Sequence, residues 1–330
     1  MLRALISNFA LPLSVACLSV IAEAQVQQSF VASYGNDAND CSRTLPCRSF
    51  ATAIAFLPAK GEVIVIDAAG YGTLTISQSI SIISPPGVYA GVSSVAGDAI
   101  TINVPSGQGA VLLRNLTVTG LGGLNGIAYR SGDELLLDHM RVAGFTSAGV
   151  FTSLANPGRL TVKNSIIRNN GFGIAKDNAT TTALVLTVTG TLLTDNVTSV
   201  DLWSNYSVLI ADTTITAGRD GLFLHGGTGT SYVECVRCTI AALTGSGVKA
   251  DQQSLATLVT QLTDSTISKN LGNGIAATNG AVVRVSDVTI ANNGVGIAPL
   301  AGGSQAVSWG DNRLVGNGTN GAFSSTVPKK

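Results

Sequence analysis

The stretch VSDVTIANNG (residues 285–294) decides the fold, because similar segments recur along the chain. LTDSTISKN occupies 262–270 and VKNSIIRNNG occupies 162–171, each with aliphatic residues around a central Asp or Asn. These central residues belong to a column whose members are about 24 residues apart, and a period of about 20–50 residues indicates a repeat architecture. The column consists of Asn115, His139, Asn164, Gly190, Asp212, Arg237, Asp264, Asp287 and Asp311.

A second column, a small residue followed by an aliphatic one, keeps the same period. It runs through Gly126-Ile127, Gly149-Val150, Gly173-Ile174, Ser199-Val200, Gly221-Leu222, Gly247-Val248, Gly274-Ile275 and Gly296-Ile297. Within each unit the apolar residues alternate with a spacing of two, as at Leu160 and Val162, which is strand periodicity. A unit of about 24 residues has room for three short strands and three turns but not for a long helix. The repeat therefore predicts a parallel β-helix of about 10 coils, with Asn and Asp at a recurrent left-handed bend.

The composition excludes several classes of protein. The chain has 330 residues, 45% of them hydrophobic, with 19 basic and 19 acidic residues and a mean hydropathy of +0.37. Only 12% are charged, against a usual ~25%. This is too apolar for a disordered chain, and the balanced charge excludes a basic nucleic-acid-binding protein. We expect one solenoid domain in place of two globular ones.

The N-terminus predicts export. Residues 1–24 combine Arg3, an apolar stretch and Ala22-Glu23-Ala24, which is typical of a signal peptide cleaved after Ala24. A transmembrane anchor and a lipoprotein modified at Cys17 are the alternatives. The mature chain has no apolar run long enough to span a membrane, so we expect a secreted or periplasmic protein.

The mature chain divides into three parts. Residues 25–60 form an N-terminal cap segment, residues 61–325 the β-helix and residues 326–330 a tail. Phe50, Ile54 and Leu57 have helical spacing, so a short amphipathic helix after the N-cap Ser49 would cover the first coil. Such a cap hides the core and the strand edges that an open solenoid end exposes.

Four cysteines remain after cleavage, and an even number in an exported chain favours two disulfides. We expect Cys41 to pair with Cys47, and Cys235 with Cys238. The second pair is a CxxC without a partner pair or a His cluster for zinc, so a free or reactive dithiol is the alternative to a structural disulfide.

The chain resembles the right-handed β-helix superfamily of pectate lyases and polygalacturonases, over about residues 31–325. It looks closest to secreted bacterial β-helix proteins that open with a motif like Gly35-Asn36-Asp37-Ala38-Asn39-Asp40-Cys41 and continue with Pro46-Cys47-Arg48-Ser49-Phe50 and Tyr71-Gly72. The resemblance implies a right-handed coil, a single domain and export.

The sequence matches the fold of these relatives better than it matches their catalytic motifs. Leu136-Leu137-Asp138-His139 is similar to an Asp-His strand of pectate lyases, where the Asp is a calcium ligand. The sequence has no Arg-x-Pro-x-x-Arg and none of the polygalacturonase motifs, so no catalytic residue is transferred.

Two outward columns follow from the inward aliphatic column, one and three residues further along each strand. They bring aromatic and charged side chains together over five coils, as protein surfaces that bind sugars require. We predict a substrate-binding set of Phe151, Trp203, Phe223, Lys249 and Arg130, and a catalytic set of Asp177, Asp201, Asp251 and His225. Adjacent coils would separate Asp177 from Asp201 by about 5 Å, and two coils would separate Asp201 from Asp251 by about 10 Å, near the carboxylate spacings of glycosidases.

The stacked bend residues Asp264, Asp287 and Asp311 form a second candidate site. Stacked carboxylates repel one another unless they bond backbone N–H groups or bind a cation such as Ca²⁺. The alternative is a structural series of bend residues in which Arg237 neutralises its neighbours. No cofactor is required by any motif.

Three functions remain open at this point. The first is a secreted β-helix protein that contacts polysaccharide through an outer groove. The second is a lyase or glycoside hydrolase acting on an acidic glycan, and the third is a structural or adhesive surface protein.

Overall fold

A computed structural model describes residues 27–253 and 256–328, in which Val-, Ile- and Thr-rich segments form strands and Gly, Asn and Asp separate them. One helix, α1, spans Phe50–Ala55. The strands are β1 (Gln28–Val31), β2 (Gly61–Val65), β3 (Ala69–Gly70), β4 (Leu74–Ile76), β5 (Ile80–Ile83), β6 (Ala90–Ser94), β7 (Ile100–Asn103), β8 (Ala110–Arg114), β9 (Leu116–Gly120), β10 (Asn125–Ser131), β11 (Glu134–Asp138), β12 (Arg141–Ala143), β13 (Ala148–Thr152), β14 (Gly158–Lys163), β15 (Ile166–Arg168), β16 (Phe172–Lys176), β17 (Leu184–Thr189), β18 (Leu192–Thr194), β19 (Thr198–Trp203), β20 (Tyr206–Ala211), β21 (Thr214–Thr216), β22 (Asp220–Gly226), β23 (Thr230–Val236), β24 (Thr239–Ala241), β25 (Val248–Gln252), β26 (Thr257–Ser268), β27 (Asn273–Thr278), β28 (Val282–Ala291), β29 (Val295–Ile297), β30 (Gln305–Ser308), β31 (Arg313–Val315) and β32 (Ser325–Thr326).

The strands build a parallel β-helix, as predicted. Each coil contributes one strand to a ten-stranded sheet and the others to a 22-stranded sheet. In one coil the chain runs from β10 in the smaller sheet through β11 and β12 in the larger sheet and returns with β13, which pairs in parallel with β10. The ten strands of the smaller sheet correspond to the expected number of coils.

The core lies inside the stacked coils, where each coil buries its aliphatic residues against the next. The second sequence column supplies one side of this core, and its aliphatic members pair in register along the ten-stranded sheet at 1% exposure or less. They are Ile127, Val150, Ile174, Val200, Leu222, Val248, Ile275 and Ile297. The inward phase taken from the sequence is therefore confirmed.

The predicted bend residues have positive φ from Asn115 to Asp287, with values of 48–59° in all eight coils. This left-handed conformation costs little for Asn, Asp and Gly, which explains the composition of the column. The last member, Asp311, differs because the positive φ of its coil falls on Gly310, at 85°.

An asparagine ladder runs inside a second turn, and the sequence analysis did not predict it. The Asn293 Oδ1 accepts from the backbone N of Asn270 at 3.1 Å and from its Nδ2 at 2.9 Å, and Asn317 accepts from Asn293 in the same way. Asn170 and Asn196 form another segment of the ladder, with 3.0 Å between Asn170 Nδ2 and Asn196 Oδ1. These amides satisfy buried backbone groups where the chain turns.

The N-terminal cap contains the predicted helix. Ser49 is its N-cap and accepts a 3.3 Å hydrogen bond from the backbone N of Thr52, while Phe50 and Ile54 are buried. The strand β1 precedes the helix and pairs in parallel with β2. The first strand of the stack thus lies within the predicted cap segment, which the sequence analysis did not anticipate.

Both expected disulfides are present, joining Cys41 to Cys47 and Cys235 to Cys238. No helix among the described residues is long and apolar enough to cross a membrane. The predicted signal peptide, residues 1–24, lies outside the described residues, so its cleavage stays a prediction.

Candidate functional site

The outward columns of the ten-stranded sheet have the register that the sequence predicted. On β19, β22 and β25, Asp201 pairs with Phe223 and Phe223 with Lys249, while Trp203 pairs with His225 and His225 with Asp251. Pairing in a parallel sheet places paired residues on one face about 4.8 Å apart. We call this surface the outer strip and define it by Asp201, Trp203, Phe223, His225, Lys249 and Asp251.

His225 lies at the centre of the outer strip, held between two aromatic rings. Its ring stacks on Trp203 at 3.7 Å between centroids with an interplanar angle of 7°, and it meets Phe223 at 3.9 Å and 40°. Only 3% of the residue is exposed. One face of Trp203 is therefore covered by the imidazole, and the residue remains partly exposed.

The two ring nitrogens of His225 have different surroundings. Gln253 Nε2 lies 3.5 Å from Nδ1, an arrangement in which the amide donates and the imidazole proton resides on Nε2. The buried Nε2 has no hydrogen-bond partner among the described residues and lies 3.7 Å from Asp201 Oδ1. The structure thus brings a carboxylate and an imidazole N–H close together without a full hydrogen bond between them.

Asp251 has a different role from the one predicted by its position alone. Partial burial raises the pKa of its carboxyl group, but hydrogen bonds from Gln253 (3.0 Å), Asn279 (2.7 Å) and Thr278 (2.9 Å) outweigh this and lower the pKa. An ionised carboxylate with three donors is a poor proton donor. It instead holds Gln253 in contact with His225.

Asp177 lies just beyond the end of β16. Because Ala175 pairs with Asp201, Asp177 belongs to the column of Trp203 and not to that of Asp201. Its carboxylate accepts from the hydroxyl groups of Ser153 at 2.5 Å and Thr180 at 2.6 Å. Within residues 27–253 and 256–328, neither Asp177 nor Asp251 is hydrogen-bonded to Asp201. Of the predicted catalytic set, Asp201 lies 3.7 Å from His225 and Asp251 contacts His225 through Gln253, whereas Asp177 is held by Ser153 and Thr180.

The two predicted cationic ligands of a substrate are already engaged. Lys249 Nζ donates to Asp220 Oδ1 at 2.8 Å and lies 5.3 Å from the centre of the Phe223 ring. Arg130 pairs with Asp98 at 3.0 Å, and its guanidinium lies 5.0 Å from the centre of the Phe151 ring. Two of the predicted aromatic residues, Phe151 and Phe223, thus each have a cation over the ring.

Asp220 is a buried carboxylate that the sequence analysis missed, at 1% exposure. Its burial raises the pKa, but the hydrogen bonds from Lys249 and the backbone N of Ser246, with Arg219 at 2.9 Å, outweigh this and lower it. Lys249 therefore neutralises a buried charge. Asp220 could have been found from the sequence, because it is a carboxylate directly before the Gly221-Leu222 pair of the repeat.

Lys176 is a second residue that the sequence analysis missed. It has the inward phase of Ile174, two residues earlier, and it is buried. Its Nζ donates to the carbonyl oxygens of Thr180 and Trp203, each at 2.9 Å, and burial lowers its pKa. Lys176 thus fixes the backbone carbonyl of Trp203 from inside the coil.

The bend column contains an ion pair beside the predicted metal ligands. Arg237 Nε and one terminal nitrogen contact the two oxygens of Asp212 at 2.6 and 2.9 Å. These hydrogen bonds, and to a smaller extent the attraction to Asp264, raise the pKa of Arg237. In the part of the chain that the structure describes, no three His, Cys, Asp or Glu side chains are grouped as a metal site requires. Calcium at Asp264, Asp287 and Asp311 stays a prediction.

Comparisons with known proteins agree with this architecture. Residues 185–319, less than half of the chain, match a family model described as a right-handed β-helix region. The structure is similar to that of the pectate lyase Pel9A, with 14% identity, a TM-score of 0.56 and coverage of 92% of this chain and 78% of the lyase. It is also similar to the A-module of the Azotobacter vinelandii mannuronan C-5 epimerase AlgE4, with 14% identity, a TM-score of 0.58 and coverage of 82% and 91%. No curated protein matches the sequence. The chain therefore has the right-handed parallel β-helix fold, and the resemblance to that superfamily is confirmed.

Proposed function

We propose that this protein is exported and contacts a polysaccharide through the outer strip. The observation that carries the proposal is the in-register set of Trp203, His225 and Phe223 beside the Asp201 carboxylate on one face of two adjacent coils. Aromatic surfaces pack against the C–H groups of sugar rings, and adjacent polar groups bind hydroxyls. Two disulfides support an oxidising compartment.

The fold also favours a chain-like ligand over a compact one. The coils stack at a fixed rise, so a linear polymer lying along the strip can contact several successive coils at once. Two solved structures with this fold are named for enzymes of pectate and mannuronan, which supports a glycan as the ligand.

The test is binding to a glycan array by the wild type and the Trp203→Ala variant. The matched control is Trp309→Ala, which removes the second of the two tryptophans, from the last coils of the stack and outside the strip. We expect Trp203→Ala to lose binding and Trp309→Ala to keep it, with both variants folded by circular dichroism. Equal loss in both variants, or no glycan bound by the wild type, would reject the proposal and favour a structural or adhesive protein.

Catalysis on an acidic glycan, by a lyase or glycoside hydrolase, is the second candidate function. It is favoured by the Nε2 of His225, which is buried without a hydrogen-bond partner among the described residues and lies 3.7 Å from Asp201. A His–carboxylate pair beside bound sugar has the groups for proton transfer. Asp251 and Gln253 would orient the imidazole in this arrangement.

Product assays separate the enzyme from a binding protein. Unsaturated products are followed by ultraviolet absorbance and new reducing ends by a colour reaction, each with and without Ca²⁺. Activity that His225→Gln and Asp201→Asn abolish, while glycan binding persists, would support catalysis. Binding without any product in either assay would leave a recognition protein.

A further inference from the structure

A second group of charged side chains lies on the larger sheet, at the bend between β11 and β12. Arg114, Asp138 and Lys163 are aligned in register at the ends of three successive strands, and His139 follows in a left-handed conformation with φ of 56°. The Asp138 side chain is 6% exposed and contacts Arg114 Nε at 2.9 Å, His139 Nδ1 at 2.6 Å and Lys163 Nζ at 3.7 Å.

This carboxylate orients its neighbours and does not offer itself to a ligand. Burial raises the pKa of Asp138, but the contacts with His139, Lys163 and Arg114 outweigh this and lower it, so the group is ionised. Its contact with Nδ1 fixes the exposed ring of His139, because the remaining nitrogen, Nε2, then faces away from Asp138. Two permanent positive charges surround one negative charge.

Further positive charge lies beside this cluster. Arg141 on β12 and Arg168 on β15 are exposed, and neither forms an ion pair with any residue that the structure describes. Unpaired cations on one face attract an anionic partner and set the salt dependence of its binding.

The same residues line neighbouring cavities. A cavity of about 530 Å³ is bounded by Arg114, Asp138, His139 and the apolar Ile83 and Pro86, and this volume is typical of ligand pockets, about 300–1,000 Å³. His139 also lines a second cavity, of about 230 Å³, together with Tyr89 and Arg141. Arg141 and Arg168 line a third, of about 170 Å³. His139 lines the first two cavities and Arg141 lines the last two, so the three cavities lie side by side along the bend, and we refer to them together as a cleft.

Tyr89 supplies an aromatic surface to this cleft and is 50% exposed. Gly91 makes room for its ring, since a Cβ at that position would lie 2.8 Å from the Cε1 and Oη atoms of Tyr89. An aromatic ring beside arginines and an apolar wall is a combination that suits a charged sugar.

We propose that the bend cleft, defined by Tyr89, Arg114, His139 and Arg141, binds an anionic polysaccharide. The carboxylate or sulfate groups of the polymer would contact Arg114 and Arg141, and a sugar ring would pack on Tyr89. The exposed cations line concave parts of the surface, which favours a polymer strand over a flat bilayer surface. The bend cleft shares no residue with the outer strip, so this inference goes beyond the proposed function and does not depend on it.

The experiment measures binding to oligogalacturonate, a heparin oligosaccharide, a neutral cello-oligosaccharide and vesicles containing phosphatidylglycerol. All proteins carry Trp203→Ala so that the outer strip does not contribute. In that background we compare Arg141→Gln and Tyr89→Ala with Arg313→Gln, a matched control because Arg313 is an exposed arginine in the outward column that contains Arg141.

We expect one or both anionic oligosaccharides to bind and the neutral one not to bind. Arg141→Gln and Tyr89→Ala should each weaken binding about tenfold or more, and Arg313→Gln should leave it unchanged. Raising the ionic strength from about 0.1 to about 1 M should also weaken it, because the Debye length falls from about 10 to about 3 Å.

The proposal is overturned if neither anionic oligosaccharide binds, if vesicles alone bind, or if Arg313→Gln causes the same loss as Arg141→Gln. Because both candidate variants alter exposed side chains, unchanged thermal unfolding separates a lost contact from a folding defect. A negative result here leaves the glycan-array test of the outer strip unaffected.

Discussion

Replacing Lys249 by Met removes the partner of a buried carboxylate and tests its structural role directly. Asp220 is 1% exposed, and Lys249 Nζ contacts it at 2.8 Å. Removing one partner of a buried ion pair costs about 3–5 kcal/mol. Because the Lys249 side chain is 32% exposed and Arg219 still contacts Asp220, we expect Lys249→Met to lower the free energy of unfolding by about 2–3 kcal/mol.

The pH dependence of this loss follows from the direction of the pKa shift. Although burial raises the pKa of Asp220, its partners outweigh burial and hold the folded-state pKa below the unfolded value of about 3.9. The stabilisation is then complete above about pH 4 and disappears as the pH falls through the folded-state pKa. The difference between wild type and Lys249→Met should therefore be largest at neutral pH and shrink in acid.

Urea unfolding followed by far-ultraviolet circular dichroism, at neutral pH and near pH 3, measures both effects. Lys269→Met is the matched control, because Lys269 is exposed and forms no ion pair within the described residues. A loss below about 1 kcal/mol at neutral pH, in the range of an ordinary exposed ion pair, would refute the reasoning. So would an equal loss at both pH values.

Three further predictions concern buried groups at which one coil packs against the next. Asn293→Ala should lower the free energy of unfolding by about 1–3 kcal/mol, because the buried backbone N–H of Asn270 loses its acceptor. Gly221→Ala should lower it by about 1–3 kcal/mol, because the new Cβ would lie 2.3 Å from the carbonyl oxygen of Gly247. In the same column Ser199→Ala should be neutral or stabilising, since its buried hydroxyl has no hydrogen-bond partner among the described residues.

Chemical denaturation of each variant checks these predictions against matched changes. Asn178→Ala alters an exposed asparagine in a loop and should be silent, so an equal loss there would contradict the argument for Asn293. Gly221→Ala and Ser199→Ala change the same structural column. If both destabilised the protein alike, close backbone approach at Gly221 would not be the cause.

Much of the fold was predictable because a solenoid repeats its local rules in every coil. The inward phase of Ile174 and its equivalents, the bends at Asn164 and Asp212 and the helix after Ser49 all follow from periodicity and backbone preference. The last bend was not predicted correctly, because Gly310 takes the left-handed conformation in place of Asp311. End coils lack one neighbour, so the repeat constrains them less.

For the candidate site, the sequence predicted which residues align between neighbouring strands but not how their side chains contact one another. The alignment of Trp203 with His225 followed from counting along strands, but the face-to-face stacking of their rings did not. Lys249 illustrates the limit: its column position suggested contact with a ligand, whereas its Nζ reaches Asp220 in the preceding coil. Side-chain partners across coils depend on rotamers and burial, which periodicity does not specify.

The sequence by itself determined the parallel β-helix, its number of coils and the inward face of the ten-stranded sheet. These properties depend on backbone preferences and on alternation with a period of two, both of which are local. Only the tertiary structure decided that Asp201 approaches His225, that Asp177 is held by Ser153 and Thr180, and that Asp138 joins charges from three coils. Apart from the local contact of Asp177 with Thr180, these contacts join residues more than 20 positions apart, and their geometry arises only when the coils stack.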